Sequence, residues 1–134
     1  MATIVARQKT YTDLDFAFRR IPNTNDVALK TDVEAVKQSV INILSTNRGE
    51  RPFLPSFGGN IRSYLFENFS PVMAVELEEE IISALANHEP RVKVLSVDIS
   101  DMSYRNALQI RLELEILSPV QTQTSVEFIV ERLR

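Results

Sequence analysis

Apolar and polar residues alternate most regularly near the end of the chain. One run places an apolar side chain at every second position: Leu108, Ile110, Leu112, Leu114 and Ile116. The residues between them are polar or charged, so this period of two predicts a β-strand with one buried and one wet face. We expect this strand to be the best-defined element of the fold.

Two further strands are predicted on either side of that run. Upstream, valines and isoleucines alternate from residue 92 to residue 99, and the phase of the alternation slips at residues 95–96, which indicates a β-bulge. Residues 101–106 are typical of a hairpin loop. Together the patterns predict a three-stranded antiparallel sheet.

The last strand carries apolar residues on both faces. Val126, Phe128 and Val130 share one face, while Ile129 and Leu133 occupy the face that should be wet. A strand that is apolar on both sides is expected to be paired or covered by something else.

The middle of the chain has a helical period. Residues 31–34 match a capping box with Thr31 as the cap, and an apolar stripe then predicts a helix that ends near Thr46. A short helix is predicted at residues 61–67. Ser70 and Pro71 have the cap and first-position chemistry of a longer helix, which should run to about residue 88.

Residues 1–30 have no sustained period and predict an extended arm. Leu14, Phe16 and Phe18 alternate with polar residues, and these side chains need a surface to pack on. The loop at residues 47–60 is also unusually apolar, and we expect Phe53 and Phe57 to point inward and its arginines outward. The predicted fold class is therefore α+β, with an arm at residues 1–30 and a single domain at residues 31–134 in which two to three helices pack on the sheet.

Composition and charge exclude several kinds of site and partner. There is no cysteine, which excludes disulfides and thiolate metal sites, and no apolar run is long enough for a membrane span. The start of the chain is too short and too polar for a signal peptide. Residues 1–30 carry five Lys/Arg against three Asp, whereas residues 71–134 carry six against eleven acidic groups. Such an acidic body argues against nucleic acid and favours protein partners.

The corner at residues 89–91 is the most informative local motif. Pro90 cannot continue the preceding helix and pushes Glu89 toward an extended conformation, so the charges of Glu89 and Arg91 are held at a corner. One interpretation is a local ion pair on a helix exit, worth about 0–1 kcal/mol if exposed. The other is a charge pair used across an interface, where losing one partner costs about 2–5 kcal/mol.

A series of motifs in fixed order resembles the baseplate-wedge and sheath-initiator family of contractile injection machines. That family includes small baseplate proteins of contractile-tailed phages and the homologous baseplate component of type VI secretion systems. The similar segments cover nearly the whole chain: residues 11–15, 40–44, 48–53, 55–58, 65–68, 89–91 and the final strands.

The resemblance implies a structural role in the virion tail baseplate, assembled in the host cytoplasm, without a cofactor. Family members look like a truncated sheath subunit: one end joins the wedge, and the sheet offers strand edges to the first sheath ring. Glu89, Pro90 and Arg91 become candidate contacts to the helical core bundle of the wedge, together with Arg48, Arg51 and Phe53. The strand at residues 125–133, with Val126, Phe128, Ile129 and Val130, becomes the template for strand addition by tail sheath protein, and the tail tube is a further candidate partner.

Two other classes of function stay open. Some phage members of the family have been described as lysozymes, but a glycosidase needs two carboxylates in a cleft, one with a raised pKa. Arg91 should lower the pKa of Glu89, and His88, the single histidine, is more typical of a helix end than of a base. We therefore expect no enzyme activity. The third class is an adaptor or dimer outside any tail. A type VI secretion-like baseplate component is a variant of the structural baseplate role.

Overall fold

The sheet is a three-stranded antiparallel meander that forms one layer of the molecule. The computed structural model describes residues 11–117 and 121–131. The strands lie in the order β3 (Val92–Met102), β4 (Ala107–Ile116) and β5 (Thr122–Glu131). The register between β3 and β4 shifts between Val94 and Ser96, which confirms the predicted bulge and leaves Leu95 as the extra residue.

Three helices form the second layer, packed on the buried face of the sheet. They are α1 (Val33–Ser45), α2 (Ile61–Tyr64) and α3 (Pro71–His88). Ser70 Oγ accepts a hydrogen bond from the Met73 N–H at 3.1 Å, so the predicted cap of α3 is confirmed. The alternating residues of β4 are all buried against the helices, and they form the centre of the core. These elements confirm the α+β fold class.

The arm is more regular than the sequence indicates. Short strands β1 (Thr12–Leu14) and β2 (Leu29–Thr31) pair as an antiparallel two-stranded sheet that contacts α1. The prediction that Thr31 caps α1 is wrong, because Thr31 is paired with Thr12 in this sheet. The helix begins after Asp32, which has a φ of 50° and accepts the Tyr11 N–H on its carboxylate at 3.3 Å.

Some apolar positions lie outside the core. A helix to residue 67 would place Phe66 on the same side as Ile61 and Leu65. The short helix ends at Tyr64 instead, and Phe66 is 74% exposed. The helical spacing also predicts that Val75 and Ile82 widen the buried face of α3. Both are exposed, because the buried stripe of this helix consists of Met73, Leu77, Ile81, Ala84 and Leu85.

The domain division at residue 30 stays a prediction. Ser118 and Pro119, whose chemistry predicts the end of the strand before them, lie outside the described residues, and so does Leu133.

Candidate partner-binding surfaces

The Glu-Pro-Arg corner is an internal clamp. Glu89 follows the last turn of α3 and is only 2% exposed, although glutamate is rarely buried without a partner. Both of its carboxylate oxygens are bonded by the Arg91 guanidinium, at 2.5 Å to Nε and 2.6 Å to the terminal nitrogen. The Ser39 hydroxyl of α1 donates a third hydrogen bond. Both carboxylate oxygens of Glu89 thus have hydrogen-bond donors within the molecule.

The electrostatics of this corner follow from the same contacts. Burial raises the pKa of Glu89, but the hydrogen bonds from Arg91 and Ser39 lower it by more, so the net pKa lies below the ordinary value. This is the direction that the sequence predicts. Burial also disfavours a charged guanidinium, yet the hydrogen bonds with Glu89 raise the pKa of Arg91. Both groups are therefore held in their charged forms.

Arg91 also links the corner to the arm and to the sheet. Its side chain is one-third exposed, and its guanidinium lies 5.0 Å from the centre of the Tyr11 ring, within cation–π range. Its backbone carbonyl accepts the Leu117 N–H at 2.8 Å, which continues the ladder between β3 and β4 by one pair. The exposed part of Arg91 is the portion of the corner that a partner could reach.

The loop between α1 and α2 is held by its backbone. Gly58 has a φ of 99°, and any side chain there would collide with the backbone oxygen of Thr46. The Gly59 N–H donates to the same oxygen at 3.1 Å, and the Gly49 N–H donates to Pro55 at 2.8 Å. These bonds make the loop a defined projection.

The side chains of this loop only partly follow the prediction. Phe53, expected to point inward, is 98% exposed, because it lies at the tip of the projection and far from the core. Phe57 is partly buried against the core as expected. Arg48 is not simply outward: it forms an ion pair of 2.8 Å with Glu80 on α3. Among these candidates, Phe53 presents the most apolar surface to a partner.

A small stack supports the base of the same loop. The Arg51 guanidinium lies 3.9 Å from the centre of the Phe57 ring, and that ring lies 4.9 Å from the imidazole of His88. His88 Nε2 is 3.0 Å from the Ser56 carbonyl oxygen. His88 therefore joins the end of α3 to the loop, which is a structural use of the chain's single histidine.

The strand β5 forms one edge of the sheet. The Leu117–Arg91 hydrogen bond shows which residues of β4 face β3, because adjacent residues of an antiparallel strand direct their backbone groups to opposite sides. The backbone N–H and C=O groups of Ile116, and of each second residue before it in β4, therefore point toward β5. All ten residues of β5 lie opposite a residue of β4, and the even-numbered ones, from Thr122 to Val130, are those whose backbone groups are hydrogen-bonded to β4.

The odd-numbered residues of β5 consequently point their backbone N–H and C=O groups away from β4. They are Gln123, Ser125, Glu127, Ile129 and Glu131. In the part of the chain that the structure describes, no other strand pairs with this side of β5. Ile129 is 44% exposed on the outer face, as the sequence predicts.

An apolar groove of about 480 Å³ runs beside this edge. Its floor comes from the helical layer and is mostly apolar. The lining residues there are Ile41, Leu44 and Ser45 of α1, Ile61 and Arg62 of α2, and Leu65 and Phe66 after α2. Its wall comes from Phe128 to Glu131 of β5. Val126 is buried, whereas Phe128 and Val130 are only partly buried beside the groove.

A buried amide and a half-buried hydroxyl on α1 were not recognised from the sequence. Gln38 is buried and holds the arm: its amide donates to the Leu14 carbonyl at 2.6 Å and accepts the Phe16 N–H at 3.2 Å. Ser39 bonds Glu89. The available signal was that α1 has uncharged residues, Ala35 and Gln38, beside its apolar stripe, which indicates a second covered face.

Two kinds of site have no support among residues 11–117 and 121–131. No group of three or more His, Asp or Glu side chains in these ranges is placed to hold a metal ion. No helix there has the length and apolarity needed to cross a membrane.

Comparison with known proteins gives a consistent result. The sequence profile of the family "Baseplate wedge protein gp25" matches residues 30–119. Baseplate wedge protein gp25 of Enterobacteria phage T4 is 37% identical over 91 residues, which are 68% of each chain.

Solved structures also share the fold. A Geobacter sulfurreducens protein named as a candidate tail lysozyme superposes with a TM-score of 0.72 at 28% identity, covering 81% of this chain and 97% of the other. A chain of the anti-feeding prophage baseplate gives 0.71 at 28% identity, covering 81% and 86%. A chain of the postcontracted pyocin R2 baseplate gives 0.57 at 19% identity, covering 85% and 97%, and shows the fold alone. Because the family profile spans most of the chain, and the T4 relative aligns with the same share of it, the chain belongs to the family of baseplate wedge protein gp25.

Proposed function

We propose that this protein is a structural subunit of a contractile-tail baseplate wedge and that it nucleates the sheath by offering the outer edge of β5 to a sheath strand. Family membership supports the baseplate wedge role. The observation that carries the nucleation step is the row of outward backbone groups from Gln123 to Glu131, in a strand with no register shift. An added strand would pair with these groups, which is the usual basis of β-augmentation.

Other baseplate proteins are assigned to a second surface, formed by the loop between α1 and α2 and by the corner at residues 89–91. We assign them Phe53 and Arg51 at the projecting loop, with Arg48 beside them, and the exposed side of Arg91. Aromatic residues and arginine are the types that most often anchor protein interfaces. Pro90 and Glu89 contribute by fixing the guanidinium of Arg91, since the Glu89 carboxylate is buried. Contacts with the tail tube, location in the virion and assembly in the host cytoplasm belong to the same proposal.

The proposal assigns no catalysis to this chain. A structurally similar protein is named as a candidate tail lysozyme, and a lysozyme needs a carboxylic acid that protonates the glycosidic oxygen. A general acid must hold its proton near neutral pH, which requires a raised pKa. The pKa of Glu89, the buried carboxylate of the corner, is lowered instead. Its two oxygens are bonded to Arg91 and Ser39, which suits a structural ion and not a proton donor.

A proline in β5 tests the nucleation step. Ser125 is exposed and its N–H points away from β4, so Ser125→Pro removes no bond within the sheet. We expect sheath assembly on baseplates that carry this variant to fall at least about fivefold, because the lost strand pairing weakens docking by roughly 1–3 kcal/mol.

The matched control is Ser125→Thr, which keeps the N–H and favours a strand. Sheath assembly is measured by counting sheathed particles in electron micrographs, and folding is checked by thermal melting. Normal sheath growth on a folded Ser125→Pro baseplate would refute the nucleation role of β5.

A serine at the loop tip tests the wedge-facing surface. Phe53 is almost fully exposed, so Phe53→Ser should change the free energy of unfolding by less than about 0.5 kcal/mol. If Phe53 anchors an interface, its loss should weaken binding to wedge proteins by about 2 kcal/mol. The control is Tyr104→Ser, which removes another exposed aromatic ring from the hairpin between β3 and β4. Equal wedge affinity for both variants in a pull-down titration would remove Phe53 from the interface.

A further inference from the structure

The helical layer is wider than the sheet that it covers. Phe128 and Val130 face the helices, since they pair with the fully or nearly buried Ile110 and Leu108, yet they are themselves only partly buried. Beyond them the apolar floor continues through Ile41 and Leu44 of α1 to Phe66. The groove therefore lies where the helix-facing side chains of a fourth strand would be placed.

The combination of floor and edge restricts the occupant. Neighbouring strands lie about 4.8 Å apart, so a strand paired with β5 would lie over the groove. A helix laid in the groove could cover its apolar floor but would leave the outward N–H and C=O groups of β5 without backbone partners. Only an extended segment satisfies both the backbone edge and the apolar floor.

We propose that this groove is a side-chain subsite that selects the sheath strand added to β5. The inference rests on the proposed function and deepens it: the backbone edge accepts any strand, while the groove selects one with apolar residues at the helix-facing positions. The incoming segment should thus alternate apolar residues, which enter the groove, with polar residues, which join the outer face of Ser125, Glu127 and Ile129. A strand with a lysine or arginine at a helix-facing position would bury that charge against Ile41 and Leu44, beside the like charge of Arg62, and be rejected.

A charge in the groove tests the selection. Ile41 is 39% exposed on α1 and lines the groove, so Ile41→Glu leaves the core intact and places a carboxylate in the path of the incoming side chains. We expect it to lower sheath nucleation at least about tenfold, equivalent to about 1.4 kcal/mol or more. The matched control is Ile82→Glu, an isoleucine of similar exposure on α3 that does not line the groove, and it should nucleate as the wild type does.

A compensating sheath variant shows that side chains meet in the groove. The probe is the sheath protein of the same particle, in which each helix-facing residue of its pairing strand is replaced in turn by lysine. One such lysine should restore nucleation on the Ile41→Glu baseplate and lower it on the wild-type baseplate. Thermal melting of each baseplate variant confirms that it is folded.

The outcomes separate the inference from the function on which it rests. If Ser125→Pro blocks nucleation while Ile41→Glu does not, the subsite is refuted and the template role of β5 stands. If Ile41→Glu and Ile82→Glu lower nucleation equally, the groove has no special role and the inference is again refuted. If Ser125→Pro nucleates normally, no strand is added and both proposals fall.

Discussion

The two edge strands of the sheet, β3 and β5, differ in regularity and in what surrounds them. β3 contains a bulge at Leu95, and three charged residues follow its course: Lys93, Asp98 and Asp101. β5 pairs with β4 over all ten of its residues without a shift. Since β5 also carries two charges, Glu127 and Glu131, the bulge is what separates the two edges. A bulge is a usual device that prevents an edge from pairing with another chain, which favours β5 as the edge that receives the proposed strand.

The helices reinforce this difference. α3 packs against β3, and its end is tied to the start of β3 by the Glu89–Arg91 clamp. α1 reaches β5, but beside that contact the groove remains. The fixed edge and the receptive edge therefore belong to opposite ends of the helical layer, which suits a subunit that is held by one assembly and extended by another.

Breaking the Glu89–Arg91 ion pair should have the largest effect on stability, because it loosens the β3 side of the sheet and leaves the β5 side unchanged. Glu89→Gln keeps the shape of the side chain but leaves Arg91 without its carboxylate, and we expect a loss of about 1–3 kcal/mol in the free energy of unfolding. Because folding lowers the pKa of Glu89, its contribution is present above the ordinary value of 4.5 and is lost as the pH falls through the folded-state pKa. The wild type should therefore lose stability below pH 4.5, and the variant should show a flatter acid limb.

Denaturant unfolding at several pH values measures both effects. Glu34→Gln is the control, because Glu34 is an exposed partner of Lys37 at 3.6 Å and its loss should cost less than about 0.5 kcal/mol. Once folded, Glu89→Gln baseplates should still nucleate sheath through β5. Equal stability of Glu89→Gln and Glu34→Gln would mean that the clamp does not secure the β3 side.

Deleting Leu95 reverses the protection of β3 and has a smaller effect on stability. Leu95 is the unpaired residue of the bulge, and its removal leaves every other pair of the ladder in place, so we expect a change within about 1 kcal/mol. The straightened edge should then pair with other copies and shift the protein toward dimers. Sedimentation analysis measures this shift, and Leu95→Ala, which keeps the bulge, is the control. A strictly monomeric deletion variant would show that the bulge does not protect the edge.

The sequence predicts best where one periodic pattern determines an element. The faultless alternation of β4, the slip at residues 95–96 and the Ser70 cap all correspond to what the fold contains. Thr31 was misassigned because a strand pairing between distant residues, which no local pattern reports, overrode its capping chemistry. Phe66 was misplaced because the short helix stops a turn early.

The functional surfaces were harder to predict. A local reading of residues 89–91 gives the ion pair, but burial of Glu89 depends on Ser39, fifty positions earlier in the chain. The same limit applies to Phe53, whose exposure depends on how the backbone of its loop is held. The side chains of β5 on the outer face follow from its alternation, but which of its backbone groups point away from β4 could be determined only from the register of the sheet.

A density map of the baseplate joined to its first sheath ring is the most direct test of the receptive edge. We predict a sheath strand hydrogen-bonded to Gln123, Ser125 and Glu127 of β5, with apolar side chains in the groove above Ile41. A map in which these backbone groups face only solvent, or in which the sheath strand pairs with β3 instead, would contradict the account.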